Sequence, residues 1–167
     1  MNQIKAIETQ YKGYRFRSRL EAKWAVFFDA LGVEWEYEKE GFDLGEAGRY
    51  LPDFWLPQVN MWAEVKPKTL TPEERTKADA LASGTGCDCL LLVGAPKNKP
   101  YMATNEWWFC LTNYKGYPEY EHRFMFVTPD GEGGFCESDD YIRHADTEAA
   151  VMAARSARFE HGESGAA

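Results

Sequence analysis

The run Cys89-Leu90-Leu91-Leu92-Val93 carries no polar side chain at either parity. A strand with one wet face alternates apolar and polar residues, so a strand without alternation must be covered on both faces. Strands of that kind lie inside sheets and pair in parallel with a neighbour reached through a crossover helix. The helix is written immediately upstream. Thr71 is a good N-cap, Pro72 suits the first helical position, Glu73 and Glu74 place negative charge in the first turn, and the run reaches about Ser83 before Gly84. The chain is thereby directed toward an α/β (α+β) fold, a mixed β-sheet flanked by helices.

The preceding segments fit that sheet. Leu20, Trp24, Phe27, Phe28 and Leu31 recur at helical spacing between Ser18 and Gly32, and Ser18-x-x-Glu21 has the capping-box pattern. Val33, Trp35 and Tyr37 then alternate with Glu34, Glu36 and Glu38, which predicts a strand with one acidic face. Tyr50 to Leu56 is a second short strand ended by Pro57, and Met61 to Lys66 a third, the two forming a hairpin. The predicted order is helix, three strands, helix, strand (αβββαβ) over about residues 11–95. A C-terminal extension over about 96–160 is expected to add strands near Glu106 to Leu111 and Arg123 to Val127, as a hairpin, and a helix from Asp146 to Phe159. Residues 161–167 read as a disordered tail. With 167 residues in all, one domain spanning 1–160 is expected.

Nineteen Lys and Arg stand against 27 Asp and Glu, a net charge of −8, which excludes a generally basic nucleic-acid coat. The positive charge is nevertheless local: Lys5, Lys12, Arg15, Arg17, Arg19 and Lys23 crowd the first residues. No stretch approaches the roughly 20 apolar residues that cross a bilayer, and the opening residues lack an apolar leader, so a cytoplasmic protein without membrane partners is expected. Cys87, Cys89, Cys110 and Cys136 lack the paired knuckles of a zinc site and read as free thiols.

The chemistry sits on the predicted hairpin. Asp53 lies on one strand, while Glu64 and Lys66 share a face of the next, so the three side chains can converge at the hairpin's open end. Two carboxylates with water form a hard oxygen site suited to Mg²⁺, with Mn²⁺ able to substitute. A lysine beside such a site can position or deprotonate an attacking water, or offset charge building on a phosphate.

Pro52-Asp53, ten residues, then Glu64-Val65-Lys66 resembles the signature of the PD-(D/E)XK nuclease superfamily. The wording around it, Phe16-Arg17-Ser18-Arg19-Leu20-Glu21, Trp35-Glu36-Tyr37-Glu38 and Tyr50-Leu51-Pro52-Asp53-Phe54-Trp55-Leu56-Pro57, is similar to phage Holliday-junction resolvases of the endonuclease I type, to small phage nucleases and to TnsA-like endonucleases. The resemblance covers about residues 11–95. It implies a restriction-endonuclease-like core and a Mg²⁺-dependent DNA endonuclease acting in phage or prophage recombination, repair or processing, in the host cytoplasm if the source is viral. The implied catalytic set is Glu21, Asp53, Glu64 and Lys66, with Asp53, Glu64, Glu21 and the Val65 carbonyl holding metal. Two departures stand out: Pro67 follows the lysine where glycine is common, and the chain is acidic where a junction resolvase is usually basic.

Arg15, Arg17, Ser18 and Arg19 stand where the start of the first helix could meet a DNA backbone, and Lys77 matches a position in the second helix where such enzymes often carry a phosphate-contacting residue. DNA is the expected partner, and a homodimer is common for this fold. The competing reading keeps the fold but makes the chain a DNA-binding or assembly subunit of a larger recombination, transposition or packaging complex, with little activity alone. An acidic mimic of DNA that blocks another protein is the third reading, drawn from the net charge.

Overall fold

The computed structural model describes residues 6–57, 60–68, 70–87, 89–96, 108–111, 125–127, 133–135 and 144–159. In chain order the elements are β1 (Thr9–Tyr11), β2 (Tyr14–Phe16), α1 (Arg19–Leu31), β3 (Glu36–Tyr37), β4 (Phe42–Asp43), a 3₁₀ turn (Gly45–Ala47), β5 (Arg49–Tyr50), β6 (Phe54–Leu56), β7 (Met61–Lys66), α2 (Pro72–Thr85), β8 (Cys89–Val93), β9 (Trp108–Leu111), β10 (Met125–Val127), β11 (Gly133–Phe135) and α3 (His144–Ser156). The fold is mixed α/β. A five-stranded sheet runs β3-β6-β7-β8-β9, and three two-stranded ribbons pair β1 with β2, β4 with β5 and β10 with β11.

Within the large sheet β7 and β8 are parallel and joined through α2, while every other neighbouring pair is antiparallel. All five residues of β8 are buried, as its unbroken apolar run requires. Alternate residues serve opposite layers. Met61, Ala63, Val65, Leu90 and Leu92 pack with α1 and with Ala150, Val151 and Ala154 of α3, whereas Trp62, Cys89, Leu91 and Val93 pack with Ala78, Leu81 and Ala82 of α2. Helices therefore cover both faces of the sheet.

Both expected N-caps are in place, but the capping box expected at Ser18 is only half made, because the Glu21 carboxylate takes the Arg17 N–H and the Ser18 hydroxyl in place of the Ser18 N–H. Ser18 Oγ accepts the Glu21 N–H at 3.2 Å, and Thr71 forms a full capping box with Glu74. The first helix stops where Gly32 enters the left-handed region at φ 72°. The second does not stop at Gly84: it continues to Thr85, and Gly86, at φ 70°, supplies the left-handed C-terminal residue. A glycine costs a helix only about 1 kcal/mol in its interior, so Gly84 is tolerated and Gly86 ends the helix.

Four further expectations need correction. The strand expected over Val33 to Tyr37 pairs only at Glu36 and Tyr37, although Val33 and Tyr37 are buried as the alternation foretold. The strand expected over Tyr50 to Leu56 is two strands in different sheets, β5 and β6, because Pro52 has no N–H to give a ladder and breaks the run. The strands expected near Glu106 to Leu111 and Arg123 to Val127 do not pair as a hairpin: β9 adds to the edge of the main sheet beside β8, and β10 pairs with β11, while α3 shares the hydrophobic cluster of α1. The predicted final helix begins at His144 and ends at Ser156 rather than Phe159. The tail 161–167 lies outside the described residues. Among the described residues no helix is long and apolar enough to cross a membrane.

Candidate active site

The register of the β6–β7 hairpin pairs Phe54 with Ala63, so one step further Asp53 falls opposite Glu64. The two residues lock together through the backbone. The Asp53 N–H donates to Glu64 Oε2 at 3.3 Å, and the Val65 N–H donates to Asp53 Oδ2 at 2.7 Å. Two positions along the same face, Lys66 Nζ lies 2.9 Å from Glu64 Oε1 and 3.3 Å from Glu74 Oε1 of α2. The end of β7 is held by the Gly94 N–H, which donates to the Lys66 carbonyl at 2.7 Å.

Glu21 enters from the first turn of α1 and is as buried as the hairpin acids: Glu21, Asp53 and Glu64 are 8%, 3% and 4% exposed. Its carboxylate accepts from the Tyr37 hydroxyl at 2.5 Å, the Ser18 hydroxyl at 2.7 Å and the Arg17 N–H at 3.2 Å. These donors are neutral. Arg17 instead directs its guanidinium to Asp53 Oδ1 at 2.8 Å and to Glu38 Oε1 at 2.6 Å. Glu38 adopts φ 46° at the bend after β3, and its N–H donates to the Asp53 carbonyl at 2.9 Å, which fixes the edge of the site.

Of five carboxylates, four, Glu38, Asp53, Glu64 and Glu74, are thus paired with two cations, Arg17 and Lys66, while Glu21 is held by neutral donors alone. The imbalance shows in the proton affinities. Burial, then the nearby charges of Glu64 and Glu21, hold the Asp53 carboxyl well above the usual carboxylate range, against the opposing Val65 N–H and Arg17. Burial pulls Lys66 down, but Glu64 and Glu74 together outweigh it and leave the ammonium above its ordinary value. Glu74 is lowered, first by the Thr71 N–H that it accepts and further by Lys66. Burial raises the phenols of Tyr37 and Tyr50; Tyr37 is raised further by the Glu21 carboxylate it hydrogen-bonds, and Tyr50 by the nearby charges of Cys89 and Glu64.

An oxygen-rich set of this kind, with negative charge in excess, suits a hard divalent cation. In the present arrangement Lys66 sits on Glu64 and Arg17 on Asp53. Among the described residues no group of three His, Cys, Asp or Glu side chains is placed to hold a metal ion. The Val65 backbone reaches the site through its N–H to Asp53.

The expected DNA-contacting residues divide. Ser18 and Arg17 belong to the site, although Arg17 is engaged with two acids. Arg15 is ion-paired with Glu8, and with Arg19 it lines a separate groove that also includes Ile7 and Phe159. Lys77 is half-buried on α2, one helical turn past Glu74. Cys87 and Cys89 are free thiols; the side chains of Cys110 and Cys136 lie outside the described residues.

Sequence reasoning missed Tyr37, Tyr50, Glu38 and Glu74 as members of the site. Tyr37 read only as the apolar parity of a strand, and Glu74 only as first-turn charge. The Thr71-x-x-Glu74 box could have shown that one Glu74 oxygen is committed to the helix start, but not that the other meets Lys66. Comparison of the chain with models of protein families, with curated proteins and with solved structures finds no match in any of the three.

Proposed function

We propose that this chain is a Mg²⁺-dependent DNA endonuclease of the PD-(D/E)XK type, built on a restriction-endonuclease-like core in which α1, β3, β6, β7, α2 and β8 follow in the order αβββαβ. The observation that carries the reading is the meeting of three buried acids, one from a helix and two from a hairpin, with a lysine 2.9 Å from Glu64. A purely structural protein gains little from such a cluster, since buried charges are costly unless they are paired.

Asp53, Glu64, Glu21 and the Val65 carbonyl would hold a divalent cation, Mg²⁺ or Mn²⁺, which supplies positive charge to a phosphodiester and acidity to water. The chain's own residues do the rest. Lys66, fixed between Glu64 and Glu74 and held protonated, offsets charge on the phosphoryl oxygens as the water oxygen bonds to phosphorus and the ester P–O bond breaks, and the proton that the water gives up passes through solvent to the departing ester oxygen. The raised proton affinity of Lys66 makes it a donor rather than a general base at neutral pH. Arg17, with its side chain 56% exposed, lies between the site and solvent and can exchange Asp53 or Glu38 for a phosphate.

The test is incubation of labelled single-stranded, duplex, flap and four-way-junction DNA with Mg²⁺, Mn²⁺ or EDTA. Metal-dependent cutting of at least one substrate supports the reading, and the preferred substrate separates junction resolution from general processing. A second reading, a DNA-binding or assembly subunit of a recombination, transposition or packaging complex, is favoured by the ion pairs that engage both Lys66 and Arg17 without any ligand. It predicts a folded chain that binds DNA and cuts none of the panel.

A further inference from the structure

The β4–β5 ribbon stands beside the acids, and the proposed chemistry gives it no task. Its inward residues are anchored: Phe42 packs edge-on to Trp62 with ring centroids 5.1 Å apart, and Leu44 and Tyr50 join the cluster beneath α2. Trp62, on which Phe42 packs, shares its face of β7 with Glu64 two residues along. The ribbon is therefore fixed in place rather than loosely appended, and its outward residues project from a rigid support.

Gly41, Phe42, Asp43, Arg49, Tyr50 and Leu51 line a groove of about 470 Å³ along the ribbon. Its Phe42 wall packs on Trp62, which shares a face of β7 with Glu64, so the groove opens on the same side of the sheet as the acids. Arg49 is exposed on its wall and, among the described residues, has no ion-pair partner. Asp43 stands directly opposite across the ribbon, but its Oδ1 accepts the Gly45 N–H at 3.0 Å and is turned to the 3₁₀ turn. Leu51 adds an apolar surface that is 37% exposed.

Resting on the nuclease reading, we infer that this groove seats the nucleic-acid strand flanking the reactive phosphate, with Arg49 contacting a backbone phosphate and Leu51 lying against a sugar or base. The charge pattern carries the choice of occupant. A cation and an apolar edge on a groove next to a strongly acidic centre suit a polyanion whose reactive phosphate lies over that centre, and a rigid wall fixes the register of the flanking nucleotides.

The experiment measures binding of a fluorescein-labelled DNA duplex and of the matching single strand to the full chain, by anisotropy, in EDTA across a range of salt concentrations. Arg49→Ala, Arg49→Lys and Arg155→Ala are compared, the last removing an equally exposed charge from α3. The expected result for R49A is about tenfold weaker binding with the salt slope smaller by about one, restoration of the slope in R49K, and no change of slope in R155A. Unchanged affinity and slope in R49A would overturn the inference, as would an equal loss in R155A, which would make the effect one of net charge. Wild-type cleavage of the DNA panel separates the two ideas. Cutting with an unaffected R49A removes only the groove, whereas no binding and no cutting by the wild type removes both.

Discussion

Tyr37 offers the sharpest test of how the site is held together. Its hydroxyl donates to Glu21 at 2.5 Å and accepts the Arg17 N–H at 3.1 Å, while its ring packs on Phe16 and Phe54 at centroid distances of 4.3 and 5.5 Å. Tyr37→Phe keeps the ring contacts and removes only the hydroxyl. A hydrogen bond to a charged group is worth about 1.5–3 kcal/mol, and here the acceptor is a buried carboxylate whose remaining donors are one hydroxyl and one N–H. The expected loss is about 2 kcal/mol, or a fall in Tm of about 4–8 °C for a chain of this size. Urea and thermal unfolding of the wild type, Y37F, Glu21→Ala and the double variant form a cycle. In the E21A background Y37F should cost less than about 1 kcal/mol, because the charged acceptor is gone. An unchanged stability in Y37F, or the same full cost with and without Glu21, would refute the assignment of Tyr37 as the support of Glu21.

Other outcomes follow from the same geometry. Because the folded Asp53 carboxyl is raised above its unfolded value, its favourable contribution belongs to acid and is lost as pH climbs through the folded value; the stability of Asp53→Asn relative to wild type should therefore rise between about pH 4 and pH 8 in EDTA, followed by thermal unfolding. Glu74 is lowered and behaves oppositely: its contribution is present above the ordinary carboxylate range and fades on acidification, so Glu74→Gln should cost stability at pH 7 and progressively less toward pH 3. Thr71→Ala removes the Thr71 side-chain half of the capping box that opens α2 and should cost about 1 kcal/mol in denaturant unfolding. Leu91→Ala, at a fully buried position of the central strand, should cost about 2–5 kcal/mol by the same assay.

The elements legible in the sequence are those whose evidence is local. Ser18 and Gly32 bracket an apolar helical face, Thr71 and Pro72 open a second helix, and the unbroken Cys89 to Val93 run demands burial on both faces; all three appear where chain chemistry places them. The β1–β2 ribbon was legible in principle, since Lys12-Gly13 turns with both residues at positive φ between the paired strands, a pattern that favours a tight hairpin. The convergence of Asp53, Glu64 and Lys66 follows from strand parity, and Glu21 could be placed near them from its position at the edge of the apolar stripe. What parity and periodicity do not encode is the choice of partner. Arg17 pairs with Glu38 and Asp53, Tyr37 with Glu21, and Lys66 with Glu74, and each link joins elements whose mutual placement is set by the packing of the sheet against α1 and α2.

The acid–lysine cluster as a nuclease centre is the central claim, and Mg²⁺-dependent cleavage by Asp53→Ala and Lys66→Ala beside the wild type tests it most directly, with circular dichroism and unfolding curves confirming that all three are folded. The expected result is cutting by the wild type in Mg²⁺ and none in EDTA, with activity lower by at least about a hundredfold in each folded variant. Wild-type rates of cutting in either variant, or a folded wild type that cuts no DNA in Mg²⁺ or Mn²⁺, would contradict it.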